Sequence, residues 1–278
     1  YYLIVCSVVN IILDLLLILV IPLGVLGAAI ATLIAQAVSA VLVTVTLMYR
    51  TEGMKLCLSQ IRMYKRMLQS ILKIGLPAGF EAIMYSISNI IVQVSINNFG
   101  VDTMAAWTAY SKIDFIFWMI NSAFGISVMT FVGQNYGAGK WDRIRRGTKI
   151  CLGMALISAV SVSIILMSAE RFLFGIFVND AGVVEIGIRM MNVIAPAYLL
   201  FAFIEVFSGA LRAQGAVVVS TLITMVGICV LRMIWVTLVA ALGTLEQVII
   251  CYPITWAAGA LAMSIYYIYK QRKIFQAR

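Results

Sequence analysis

Charge is missing from long stretches of this chain, and that absence limits its fold more than any motif does. Eight apolar runs of about 20 residues or more read as helices that cross a bilayer, at residues 1–20, 24–49, 75–97, 103–136, 150–167, 186–211, 216–241 and 245–269. Only 11% of the 278 residues are charged, against about 25% in an ordinary soluble domain. The mean hydropathy is +1.06. The expected fold class is all-α, a polytopic membrane protein with about eight transmembrane helices. The chain opens in YYLIVCSVVN, with neither a starting Met nor a basic leader, and reads as a piece of a longer protein.

The charges that remain are distributed unevenly. Sixteen of the twenty Lys and Arg fall in residues 50–73, 140–149, at Arg212 and in 270–278. With these spans, every one of those clusters lies on one side of the membrane. The outer loops then hold Asp102, Glu170, Asp180, Glu185 and Glu246, with Arg171 as the basic exception. This is the positive-inside pattern, which puts the C-terminus in the cytoplasm. The net charge of +9 therefore reports topology, and no nucleic-acid partner is expected. Residues 62–73, RMYKRMLQSILK, read as an amphipathic interfacial helix in a cytoplasmic linker, 50–74. The run at 103–136 exceeds a bilayer's thickness, so it tilts or extends beyond it.

Several chemistries are excluded. There is no histidine, so no His-based triad and no imidazole metal site exists. Cys6, Cys57, Cys151, Cys229 and Cys251 are scattered and read as free thiols rather than a zinc or disulfide framework. No nucleophile–base pair is visible, so no enzyme activity is expected. GQNYGAG at 133–139 lacks the spacing and the Lys-Ser/Thr of a phosphate loop; its glycines fit a helix cap and close helix packing.

What is left is a set of ionisable residues inside apolar runs. An ionised carboxylate in hydrocarbon is costly, so such residues usually mark an ion or substrate path. Asp14 stands alone in NIILDLLLILV, with Asn10 one helical step of four away on the same face. Carboxylate and amide oxygens suit a hard cation or a proton. Thr32 lies on the next antiparallel run, where it is expected to converge with Asp14. Glu81 follows Gly75 and Pro77, which permit a kink; it lines a cavity or reaches interfacial water. Lys112 and Asp114 are two residues apart and cannot face each other, so each is expected to pair with another helix. Glu205 and Arg232 are the candidate partners. These residues serve structural pairing or cargo binding. Tyr85, Trp107, Tyr110, Phe115, Trp118, Tyr198, Phe201 and Phe203 are candidate cavity lining for flat lipophilic cations. A faint repeat relates Leu13-Asp14 and GVLGAAIATLIAQ to Leu231-Arg232 and GTLEQVIICYPITW, a pattern seen in transporters built from related halves.

Several segments, in order, resemble the MATE family, the multidrug and toxic compound extrusion transporters. NIILD followed by GVLGAAIAT resembles its fifth and sixth helices, and LKIGLPAGFE the start of its seventh. FVGQNYGAGKWDRIRRG resembles the end of the eighth helix and the loop after it, and GALRAQGA the end of the tenth. The resemblance implies a partial two-bundle fold. Residues 1–49 would be the last two helices of the first bundle. Residues 75–278 would be the second six-helix bundle and a short basic tail. It also implies a cation or proton site at Asn10, Asp14 and Thr32, completed by a first-helix Asp outside this chain. Glu81, Lys112, Asp114 and Glu205 are the candidate substrate-binding residues.

The expected function is secondary active multidrug efflux, exporting organic cations in exchange for Na⁺ or H⁺ by alternating access, with no other cofactor and no bound metal. The expected setting is a bacterial inner membrane, as a monomer surrounded by lipid. The alternative is a lipid-linked oligosaccharide flippase of a related family. That reading calls for a strongly cationic cavity, whereas the intramembrane charges here are Asp14, Glu81, Asp114 and Glu205 against Lys112 and Arg232.

Overall fold

The computed structural model describes residues 2–49, 55–239 and 243–276. Among them all regular structure is helical. Eight helical segments are long and apolar enough to cross a membrane: Tyr2–Val20, Gly24–Tyr49, Lys65–Asn97, Val101–Gly137, Trp141–Ser168, Ala181–Ala213, Val217–Leu238 and Leu245–Ile274. Each corresponds to one expected run.

Two helix starts differ most from expectation, for one reason. The third helix, α3 (Lys65–Asn97), absorbs most of the segment read as a separate amphipathic helix. The fifth, α5 (Trp141–Ser168), begins inside KWDRIRRGTK, which read as a loop. Charge sets how deep a residue sits in the membrane, but helical hydrogen bonding does not require apolar side chains. At the second site the turn is made by Gly139 with φ of +67°. Pro77 lies within α3, where it leaves the Lys73 carbonyl without a helical N–H partner. Residues 50–54 of the expected linker, 240–241 of the seventh run and 277–278 of the basic tail lie outside the described residues.

The chain divides into two compact units, Tyr1–Leu68 and Gln69–Arg278. In the first, α1 (Tyr2–Leu15) runs into a π-helical turn, Leu16–Val20, and packs on α2 (Gly24–Tyr49). The contact is antiparallel and built on small residues: Gly27, Ala31 and Ala35 are the buried residues of α2. A Cβ on Gly27 would lie 2.6 Å from the Leu17 carbonyl oxygen. Cys6 Sγ donates to the Ala35 carbonyl at 3.2 Å, and Tyr2 Oη meets Thr46 Oγ1 at 2.7 Å.

The second unit is organised on α4 (Val101–Gly137) and α8 (Tyr198–Ala213). Around them lie α5, the short α6 (Glu170–Phe177), α7 (Ala181–Ile194), α9 (Val217–Thr224), α10 (Leu231–Val239), α11 (Leu245–Ile249) and α12 (Cys251–Gln276). A π-helical stretch, Met225–Val230, joins α9 to α10. Pro196 lies in the 3-10 turn Ala195–Ala197 between α7 and α8, where the Ala195 carbonyl accepts Ser163 Oγ at 2.6 Å. Ten of the sixteen residues of α8 are buried, so it is the core helix. It crosses α4 at Gly125 and Gly209, where a Cβ on Gly209 would lie 2.7 Å from the Gly125 carbonyl oxygen. With no side chain between them the two backbones touch. Further along, the Phe117 and Tyr198 rings stack with centroids 3.8 Å apart.

Candidate functional site

The site grows from one face of α3. Glu81, Tyr85, Asn89 and Gln93 follow one another at steps of four, a polar stripe along an otherwise apolar helix. Two cavities of the second unit open onto this stripe. One, of about 490 Å³, is lined by Glu81, Tyr85, Gly125, Phe201, Glu205 and Arg212 among others. The other, of about 480 Å³, is lined by Tyr85, Asn89, Trp107, Asp114, Trp118 and Tyr252 among others. Tyr85 belongs to both.

The first is a carboxylate cavity. Arg212 Nη2 donates to both Glu81 oxygens, at 2.6 and 2.7 Å, and Thr221 Oγ1 donates to Glu81 Oε2 at 3.0 Å. The pair is largely shielded, with 14% of the Glu81 side chain and 28% of the Arg212 side chain exposed. Glu205 is held differently. It lies one turn before Gly209 on α8, and its carboxylate occupies the space that a Cβ on Gly125 would fill. It feels Arg212 as an opposite charge and Glu81 as a like one, and makes no hydrogen bond or ion pair among the described residues. The cavity therefore holds two acids against one base.

The second is an aromatic cavity. Asp114 accepts hydrogen bonds from the Tyr198 hydroxyl and from Trp118 Nε1, the latter at 2.6 Å. Tyr198 in turn lies 3.2 Å from the Tyr110 hydroxyl. The walls are rings: Trp107 stacks on Tyr110 at 5.3 Å, and Trp118 meets Trp256 edge-on at 6.1 Å. Behind them Arg232 is fully buried, its Nη1 donating to Asn89 Oδ1 at 3.1 Å. Its guanidinium carbon lies 4.2 Å from the Tyr252 ring centroid and 5.6 Å from that of Tyr85. Aromatic faces thus stand where a counter-carboxylate would be expected. Its Nε and Nη2 remain without hydrogen bonds.

Several expected pairings are redrawn. Asp114 pairs with neutral donors on α8 and on its own helix, not with Glu205 or Arg232. Glu81 pairs with Arg212 instead of reaching interfacial water. Lys112 is exposed and lines neither cavity, because two residues along a helix turn it away from Asp114. Of the eight aromatics expected as lining, Tyr85, Trp107, Tyr110, Phe115 and Trp118 line the aromatic cavity and Phe201 the carboxylate cavity. Tyr198 is buried behind the wall, and Phe203 packs toward Phe207 with centroids 6.1 Å apart. In the first unit, Asn10 and Asp14 are half-buried, and Asn10 Nδ2 and Asp14 Oδ1 are buried without partners. They extend the stripe of Tyr2 and Cys6 that faces α2. Thr32 is exposed, and its hydroxyl donates to the Ala28 carbonyl of its own helix at 2.9 Å rather than turning toward Asp14.

Several contributors escaped the sequence reading. Arg212 looked like a topogenic charge at a helix end, yet it lies seven residues after Glu205, two turns along the same face. Asn89 and Gln93 continue the four-step stripe from Glu81. Trp256 lies four residues after Tyr252 in a segment noticed only as a repeat. Among the described residues no group of three or more His, Cys, Asp or Glu is placed to hold a metal ion.

Known proteins share this architecture. The chain is 27% identical over 285 residues to the probable multidrug resistance protein YoeA of Bacillus subtilis, covering 99% of this chain and 62% of that protein. It is 26% identical over 208 residues to the multidrug export protein MepA of Staphylococcus saprophyticus, covering 75% of this chain and 46% of that one. The outward-facing conformation of a multidrug resistance MATE family transporter of the MOP superfamily superimposes with a TM-score of 0.90 at 19% identity. That match covers 99% of this chain and 62% of the solved one, and it shows a common fold. The chain thus spans at most about 62% of the length of these relatives. The MatE family pattern itself matches residues 77–238, the stretch that carries Glu81, Asp114, Glu205, Arg212 and Arg232. Matched over more than half its length, the chain belongs to the MatE family, the multidrug and toxic compound extrusion transporters.

Proposed function

We propose that this chain works as part of a secondary transporter that exports organic cations across a bacterial inner membrane, driven by entry of Na⁺ or H⁺. The observation that carries the reading is the carboxylate cavity. With Glu205 ionised, Glu81 and Glu205 against Arg212 leave one net negative charge, beside the rings of Tyr85 and Phe201. A flat monovalent cation is complementary to such a chamber in both charge and surface. The relatives named as multidrug export and resistance proteins agree with it. The coupling ion binds at Asn10 and Asp14, whose buried polar atoms lack partners. Neutralising Asp14 changes how the first unit packs and so favours one access state over the other; only such differential binding drives a switch. One elementary charge moving down 100 mV supplies about 2.3 kcal/mol. The protein acts as a monomer with its C-terminus in the cytoplasm.

The test uses the full-length parent protein in sealed vesicles, with ethidium as cargo and a Na⁺ or a pH gradient imposed in turn. One gradient is expected to drive efflux. Glu205→Gln is expected to weaken cargo affinity about tenfold, the equivalent of ~1.4 kcal/mol, and Asp14→Asn to abolish the response to the gradient. Wild-type behaviour of Glu205→Gln would remove the carboxylate cavity from cargo binding, and gradient-driven efflux by Asp14→Asn would remove the coupling site.

A further inference from the structure

We propose that the cleft between the start of α5 and the end of α12 binds the phosphate headgroup of an anionic phospholipid. This site is separate from both cavities above and independent of the transport reading. A hollow of about 310 Å³ there is lined by Arg145 and Lys149 of α5 and by Tyr267, Ile268, Gln271 and Arg272 of α12. Arg145 and Lys149 are one helical step of four apart, as are Ile268 and Arg272, so each helix presents one face to the same space. Three cations and no acid line it. A second hollow of about 400 Å³ shares Arg145 and Lys149 and adds Arg146, with Asp142 as its one acid. Basic pockets between membrane helices are the usual seats of anionic lipid headgroups, and an Arg fork fits phosphate oxygens.

A second observation points to a ligand rather than to a solvated charge patch. Tyr267 is 7% exposed and lines the hollow, and its hydroxyl makes no hydrogen bond of ordinary geometry. The neighbouring Thr148 hydroxyl, which donates to the Ile144 carbonyl at 2.8 Å, is an acceptor beside it but out of ordinary hydrogen-bond geometry. A buried phenol held this loosely gains a better acceptor from a phosphate oxygen in the hollow. The wall around it is fixed: Lys270 Nζ donates to the Gln214 carbonyl at 2.9 Å and Gln271 Nε2 to Gln214 Oε1 at 3.0 Å.

The surroundings favour a lipid over a free phosphate ion. From the cations, exposed apolar side chains run along both helices, Met154 and Ile157 on α5 and Ile265 and Leu261 on α12. They offer a track for an acyl chain below the headgroup. The edge-on pair Tyr136 and Trp141, with centroids 5.0 Å apart, marks this end of the bundle as interfacial.

Native mass spectrometry of the purified protein, titrated with phosphatidylglycerol or with phosphatidylcholine of the same chains, tests this. Phosphatidylglycerol is expected to be retained preferentially, and each of Arg145→Gln, Lys149→Gln and Arg272→Gln to weaken retention about fivefold. The charge-matched control Lys65→Gln, a single exposed cation outside the cleft, is expected to keep it. Using single variants guards against a triple variant that fails to fold, and melting in lipid-free detergent checks each one. Equal retention of the two lipids, wild-type retention by all three single variants, or an equal loss in the control would overturn the site. Displacement of the lipid by millimolar glycerol 3-phosphate would assign the cleft to free phosphate instead.

Discussion

The carboxylate cavity and the aromatic cavity share a wall and a helix, yet they keep their acids by opposite means. In the first, Glu81 is neutralised by one arginine nitrogen that reaches both its oxygens and by a threonine, while Glu205 is packed over a glycine without a hydrogen bond. In the second, Asp114 has no cation and is held by a phenol and an indole, both neutral. A paired charge depends on one partner and is lost with it. A charge held by several neutral donors loses them piecemeal. The difference assigns the two chambers different sensitivities, and each prediction below tries to erase it.

The largest effect is expected from Arg212→Ala, which leaves the Glu81 carboxylate shielded from water with Thr221 as its remaining donor. A loss of about 3 kcal/mol is expected, the lower end for breaking a buried pair, read as thermal melting in detergent. The compensating double variant Arg212→Met/Glu81→Gln is expected to recover most of it. Next comes Tyr198→Phe, which removes one donor from Asp114 and the partner of Tyr110. About 2 kcal/mol is expected, in the range for a hydrogen bond to a charged group. If it matched or exceeded Arg212→Ala, the contrast between the chambers would collapse. Gly125→Ala is expected to cost about 1–2 kcal/mol as overpacking and, on the proposed reading, to weaken cation binding by pushing Glu205 aside. Equal dye affinity in that variant would mean that the Glu205 position is immaterial. The smallest effect belongs to Asp114→Asn. The amide oxygen keeps one of the two donors, and removing a buried carboxylate charge offsets the unpaired other, so a net change below about 1 kcal/mol is expected.

All eight spans were legible in the sequence, because membrane burial demands a long uninterrupted apolar run whatever the packing. The helix starts at Lys65 and Trp141 were not, because the charged residues there continue the helix past the hydrocarbon edge. The candidate site was legible as a set of residue types but not as pairs. Glu81 and Arg212 are 131 residues apart, and nothing in hydropathy joins them. The two-residue offset of Lys112 from Asp114 shows that they face different sides, but not which of the two faces a cavity. The steps of four from Glu81 to Gln93, and of seven from Glu205 to Arg212, were the readable signals. They were masked by the conventional meaning of each residue: amides as filler, a terminal arginine as a topology marker.

Tyr85 is the single ring that both chambers lean on. Two guests, one on each side, would press on one phenol, and any rotation that makes space for the first redraws the boundary met by the second. Occupancy of the pair is then no longer a product of two separate constants, and whatever factor one guest imposes on the other is returned in equal measure.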